Sequence, residues 1–156
     1  MVTVLESTAE HCIALAPNLR EMDQIECRAI SPGLSNEEVL KRCALEATRS
    51  YSVVDSEDGC LAIFGVREVG AGFAIPWMLA SDLFFTKYKR RFIREAPDFV
   101  QKLLGNNHYL YNYISRDNHV CIRWLSSLGF TVDASKVIDV NGVSFHPFFY
   151  RKTENV

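Results

Sequence analysis

Three things are scarce in this chain: cysteines that could pair, long apolar runs, and an excess of charge of either sign. Cys12, Cys27, Cys43, Cys60 and Cys121 are odd in number and widely spaced, with no CxxC pair. That argues against a disulfide framework or a zinc site and for small buried thiols, so no metal is implied. The longest nearly uncharged stretch, Val69 to Ser81, is about half the ~20 apolar residues a bilayer span needs, and it contains Gly70, Gly72 and Pro76. No membrane span is expected. The opening Met1-Val-Thr-Val-Leu-Glu6 lacks the basic start and apolar run of a signal peptide, which places the chain in the cytoplasm. A net charge of −2, a pI of 6.1 and the lack of a basic block outside one helix give no support for generic nucleic-acid binding.

What is present is an ordinary core-forming composition: 156 residues, 48% hydrophobic and 12% aromatic, read as one domain over 1–156. A chain this long buries roughly 70% of the surface its unfolded form exposes, so it needs no staple. The first fifty residues read as a strand at Thr3-Val-Leu5 and three helices. The first helix is capped by Ser7 or Thr8 and ended by Pro17, and the second runs from about Leu19 to Ile30 with Met22, Ile25, Cys27 and Ile30 inward. Ser35 and Glu38 form a capping-box signature for the third, which runs to about Ala47.

The period then changes. Ser50 to Val54 and Cys60 to Val66 flank turn chemistry and read as a hairpin, and a third strand covers about Gly72 to Ala80. Its Pro76 predicts a bulge or local splay near Trp77. A helical segment spans Thr86 to Leu104, with Pro97 expected to kink or divide it. A tyrosine-rich strand, His108 to Ile114, follows, and then a helix capped at Asp117-Asn118 and stopped by Gly129. Thr131–Asp139 and Val143–Tyr150 close the chain as strands joined through Asn141-Gly142. The order β, α, α, α, β, β, β, α, β, α, β, β predicts an α/β domain.

That order, together with Asn118-His-Val-Cys-Ile-Arg-Trp-Leu-Ser-Ser-Leu-Gly-Phe130, resembles the GCN5-related N-acetyltransferases (GNATs), in which an Asn after a strand opens a helix ending in Leu-Gly-Phe. More narrowly, Ile75 to Asp82, Arg91 to Arg94 and Pro147 to Tyr150 resemble acetyltransferase-like proteins of podophages, some of the internal-virion type. The resemblance implies a single GNAT-like domain with a mixed central sheet, a splayed strand pair and helices on both faces. It also implies acetyl-CoA or another acyl-CoA as cosubstrate, its pantetheine arm lying in the splay as a pseudo-strand. Main-chain groups of Met78, Leu79 and Ala80 would pair with the cofactor, the amide near Leu79 would polarise the thioester, and Asn118, at the motif's helix start, would also bind the cofactor.

Two departures matter. The family's phosphate loop carries glycines, whereas Asp82 to Arg91 has none. Lys87, Lys89, Arg90 and Arg91 instead crowd the first turns of a helix, where the macrodipole disfavours cations. They read either as a side-chain cradle for the CoA phosphates or as a solvated basic face. The family's general-acid tyrosine position holds Leu125, with Tyr113 or Ser126 as substitutes if geometry allows. Asp82 is the candidate base, with Glu68 behind it; the bland reading is a loop or helix-cap carboxylate. Two functions follow. One is a phage-encoded acyltransferase acting on an amine of a small molecule or host protein. The other is a catalytically degenerate GNAT-fold protein that binds a host enzyme or belongs to the virion. Neither the acceptor nor the oligomeric state is legible in the residues.

Overall fold

The computed structural model of the chain describes residues 1–153, so the last three residues of the expected domain lie outside the described residues. Eight strands form one mixed sheet in the order β1-β2-β3-β4-β5-β8-β6, with β7 also paired to β8. They are β1 (Val2–Glu6), β2 (Arg49–Asp55), β3 (Gly59–Gly70), β4 (Phe73–Ala80), β5 (Tyr109–Ser115), β6 (Thr131–Val132), β7 (Ile138–Val140) and β8 (Val143–Arg151). Every pairing is antiparallel except β4 with β5. That parallel pair is joined only at Phe73↔Tyr109 and Ala74↔Leu110 and then splays toward its C-terminal ends.

Helices α1 (Ala9–Leu15), α2 (Glu21–Ile30) and α3 (Asn36–Glu46) precede β2. Helices α4 (Asp82–Lys87) and α5 (Lys89–Leu104) link β4 to β5, and α6 (His119–Ser127) follows β5. Side chains on a strand alternate between faces, and β3 divides the core accordingly on either side of a bulge at Leu61, where the register against β2 shifts from Val53↔Ala62 to Val54↔Cys60. Ile63, with Cys60 and Leu79, packs under Cys12, Leu15 and Leu40 of α1 and α3. Phe64, with Leu61 and Val66, packs under Phe84, Phe92 and Val100 of α4 and α5. Phe92 meets Phe64, Phe84 and Trp124 at centroid distances of 6.0, 4.6 and 5.6 Å. The α/β class, the splayed pair and helices on both faces are as expected.

Local differences have local causes. Pro76 neither bulges nor breaks the β3 ladder; it pairs with Val66, and the irregularity falls at Glu68/Gly70. Ser81 donates its N–H to Leu61 O, so by two-residue alternation the main chain of Leu79 and Trp77 faces β3 while that of Pro76, Met78 and Ala80 faces the splay. The missing proline N–H therefore costs no bond. The helix expected from Thr86 begins at Asp82 and divides at Tyr88 (φ −113, ψ 3), with Pro97 tolerated inside α5. Ser81 starts it early, its Oγ accepting the Phe84 N–H at 3.3 Å. The strand expected over Thr131–Asp139 is two short pieces, β6 and β7, separated by a turn in which Asp133 Oδ1 accepts the Ser135 N–H.

Helix α2 is the largest correction to the expected core. Ile30 is exposed and Met22 and Ile25 are half-buried, while Asp23, Cys27 and Ala29 are buried together with Arg20 just before the helix. Its inward face is polar because it lies across the splay rather than on a closed sheet.

Candidate functional site

The open end of the β4–β5 gap should leave main-chain donors and acceptors unpaired, and a buried unpaired group costs about as much as a lost hydrogen bond. Side chains satisfy most of them here. Asn112 spans the gap like a stray peptide group, its Oδ1 accepting the Tyr113 N–H at 2.8 Å and its Nδ2 donating to Pro76 O at 2.8 Å. Farther up, Asp23 Oδ2 accepts the Ala80 N–H at 2.9 Å, and the Arg20 N–H donates to Ala80 O at 2.9 Å. On the β5 side Glu26 Oε1 accepts the Ser115 N–H at 3.1 Å. Helix α2 thus bridges the ends of both strands.

The bridge is knitted to α6. Asn118 is 2% exposed; its Nδ2 donates to Glu26 Oε1 at 3.0 Å and its Oδ1 accepts from Arg20 Nη2 at 3.4 Å. The expected side-chain cap is absent, since this amide points inward instead. Arg20 also reaches Asp23 at 3.5 Å and Cys121 Sγ at 3.2 Å, and its guanidinium lies 4.6 Å from the Phe85 ring centre. Burial pushes the Asp23 carboxyl up to about 7 against the opposing pull of the Ala80 amide and Arg20. Burial likewise raises Glu26, opposed by its bonds to Asn118 and Ser115, and it lifts the Cys121 thiol to about 11.

Between these braces Met78 is the one gap-facing residue from Pro76 to Ala80 whose main-chain N–H and C=O find no partner among the described residues. It sits at the meeting of two hollows. A cleft of about 440 Å³ opens on the α2–α3 side and is lined by Asp23, Glu26, Trp77, Asn112 and Leu125 among others. An apolar hollow of about 90 Å³ lies on the α5–α6 side between Phe92, Phe99, Trp124 and Phe148. Trp124 packs against Phe85 and Phe92 at 6.1 and 5.6 Å, so aromatic rings fill the space between α4–α5 and α6.

The expected site residues are only partly brought together. Met78, Leu79, Ala80 and Asn118 gather at the gap, but Leu79 turns its main chain to β3, and Ala80 and Asn118 are engaged by α2. Lys87 is drawn to the β2–β3 turn, 2.6 Å from Asp58, while Lys89, Arg90 and Arg91 are exposed on α5, with Arg91 paired to Glu95. Asp82 opens α4 with its side chain 86% exposed, 4.0 Å from Arg20, and does not line the cleft. Glu68 is tied to Arg49 and Asn107 away from the cleft. Tyr113 and Leu125 do line it, whereas Ser126 turns its hydroxyl back to Ile122 O. Arg20, Asp23, Glu26 and Asn112 lie outside the expected set. Their signal is the spacing Arg20-x-x-Asp23-x-x-Glu26, which stacks three charges along the inward side of an amphipathic helix.

Comparison with known proteins bears on the fold. The sequence profile of a family described as bacteriophage T7 probable scaffold protein Gp13 matches residues 61–134. No curated protein sequence matches the chain. Among solved structures, spermidine N-acetyltransferase from Vibrio cholerae in complex with CoA and spermine superposes with a TM-score of 0.68 at 16% identity, covering 96% of this chain and 95% of that one. A GCN5-related N-acetyltransferase from Kribbella flavida gives 0.67 at 16% identity, covering 97% and 98%. A GNAT-family acetyltransferase from Bacillus anthracis gives 0.69 at 9% identity, covering 96% and 94%. The chain has the GNAT acetyltransferase fold.

Proposed function

We propose that this GNAT-fold chain is a virion-associated binding protein of phage assembly, its acyl-CoA passage closed by its own side chains. The observation that carries the reading is the α2 brace. In the GNAT arrangement the pantetheine arm fills the splay and satisfies the strand edges there. Here Asn112, Asp23 and Glu26 already do so at every gap-facing position of β4 from Pro76 to Ala80 but Met78, and the Ala80 amide expected to meet the cofactor is bonded to a buried carboxyl group. Opening the passage would strip at least two buried hydrogen bonds, each worth about 0.5–1.5 kcal/mol as a neutral pair and more where the carboxyl is ionised. The glycine-free turn after β4 and Leu125 in place of an acidic tyrosine point the same way, and the family described as a probable scaffold protein supplies the assembly context.

The test joins composition with chemistry. Mass spectrometry of purified particles from a phage encoding the chain should find it at fixed stoichiometry, and the purified protein should consume no acetyl-CoA with host lysate as acceptor. Absence from particles together with catalytic turnover would overturn the reading.

A second reading, acyl transfer from an acyl-CoA to an amine, is favoured by one observation. The Met78 main chain is open toward the gap, beside a cleft that holds Asp23, a carboxyl with a proton affinity suited to base catalysis near neutrality. In that case Met78 N–H would polarise the thioester carbonyl.

A further inference from the structure

The gap between β4 and β5 is blocked at two levels and open at one between them. Below, Asn112 Nδ2 holds Pro76 O; above, Asp23 and the Arg20 main chain hold both main-chain groups of Ala80. Met78 stands between, half-buried, its N–H and C=O directed into the gap without a partner among the described residues. Such an edge lacks one acceptor and one donor, and a single residue of a neighbouring strand supplies both through its own C=O and N–H. Residues paired in that way point their side chains to the same face. Met78 lies opposite Phe64 on the face that carries α4 and α5. The side chain of a residue paired to Met78 from within the gap therefore enters the apolar hollow of about 90 Å³ between Phe92, Phe99, Trp124 and Phe148. An apolar cavity of about 150 Å³ takes up benzene, so the smaller hollow suits a branched aliphatic chain. The two neighbours of that residue point the other way, into the cleft of about 440 Å³ lined by Ile75, Trp77 and Tyr113 among others.

We propose that the gap is a binding site for an extended peptide, one Val, Leu or Ile residue of which bonds Met78 through both of its main-chain groups and seats its side chain in the hollow. The proposal rests on the reading of the chain as a binding protein and gives the chemistry of what it binds. The mode is strand addition confined to a single residue: Met78 N–H donates to the peptide carbonyl, and the peptide N–H donates to Met78 O. The same confinement turns away a pantetheine arm. A cofactor lying along β4 needs the Ala80 amide, which already donates to Asp23, whereas the peptide needs only Met78 and enters from the cleft. A charged side chain is refused, since no polar residue lines the hollow to meet it.

The test is an NMR titration of the full chain with the capped tripeptide acetyl-Ala-Leu-Ala-amide to about 10 mM, a concentration that detects millimolar affinity. The Met78 amide should shift saturably, with nuclear Overhauser contacts from the leucine methyls to the Trp124 and Phe99 rings, while the Ala80 and Ser115 amides stay in place. Acetyl-Ala-Gly-Ala-amide leaves the hollow empty and should bind at least about tenfold more weakly. An ester analogue, with oxygen in place of the leucine N–H, leaves Met78 O without a donor and should also lose about tenfold. Acetyl-Ala-Lys-Ala-amide should not bind. No saturable shift at Met78, equal affinity for the leucine and glycine peptides, or an ester that binds as tightly as the amide would overturn the proposal. Hexanoate that competes with the leucine peptide at equal affinity would assign the hollow to an acyl chain and overturn it equally. Each of these outcomes is distinct from acetyl-CoA turnover, which would remove the binding-protein reading itself.

Discussion

Acidification should stabilise this protein over a range in which many proteins begin to weaken, and Asp23 is the reason. Its carboxyl is pushed from 3.8 up to about 7 in the fold, chiefly by burial. Because the folded-state value is the higher one, the contribution is fully present below the unfolded value and is lost as pH rises through about 7. Between those limits the native state holds one more proton than the unfolded chain. Stability therefore rises by about 1.4 kcal/mol per pH unit at most on going from about pH 6.5 to about pH 4.5. Glu26, raised by the same burial, adds in the same direction. Asp55, Asp58 and Glu68 are held below their ordinary values by hydrogen bonds, so their losses fall at the acid end of the range. Urea unfolding at a series of pH values, for wild type and for Asp23→Asn, reads the slope directly. Asparagine can still accept the Ala80 N–H but does not titrate, so its profile should be the flatter one. Equal pH slopes for the two proteins, or a wild type that weakens steadily from pH 7 to 5, would refute the assignment.

Other expectations follow from packing and caps. Gly65→Ala should cost about 1–3 kcal/mol, as overpacking does, because a Cβ there would sit 2.7 Å from Arg49 O and 2.8 Å from the Trp77 ring; urea midpoints at constant slope check it. Phe84→Ala removes a ring that is 1% exposed, between Phe85 and Phe92, and should cost about 3–5 kcal/mol by the same assay. Ser35→Ala deletes the Oγ that accepts the Glu38 N–H at 3.2 Å and should cost about 1 kcal/mol, with Ser35→Gly costing less.

Much of the fold was legible because local rules and tertiary needs coincide. Ser35 caps α3, Asn141 and Gly142 adopt φ of 47 and 85 in the final hairpin, and Gly129 closes α6 at φ 93. The β4–β5 splay was legible both in Pro76 and in the resemblance: Pro76 turns its missing donor toward the gap, where pairing with β5 ends after Ala74, and leaves the β3 ladder whole. The site was harder to read because its logic is three-dimensional. An amphipathic reading of α2 puts Met22, Ile25 and Ile30 inward, yet the helix crosses unpaired strand ends, which select Asp23 and Glu26 instead. Asn112 is similar, an unremarkable residue in a tyrosine strand until its amide is seen to join β5 to Pro76. Asp82, nearest the gap in sequence, opens a helix and turns to solvent.

The central claim is that the strand edges at the β4–β5 gap, Met78 apart, are already satisfied from within. Amide chemical shifts of Met78, Ala80 and Ser115, followed by NMR during titration with CoA and acetyl-CoA to about 1 mM, a concentration that detects even millimolar affinity, test it most directly. The closed gap predicts that Ala80 and Ser115 stay at their carboxylate-bonded positions and that Met78 does not move. Saturable shifts at all three amides, with the Ala80 and Ser115 signals leaving those positions as cofactor binds, would contradict it.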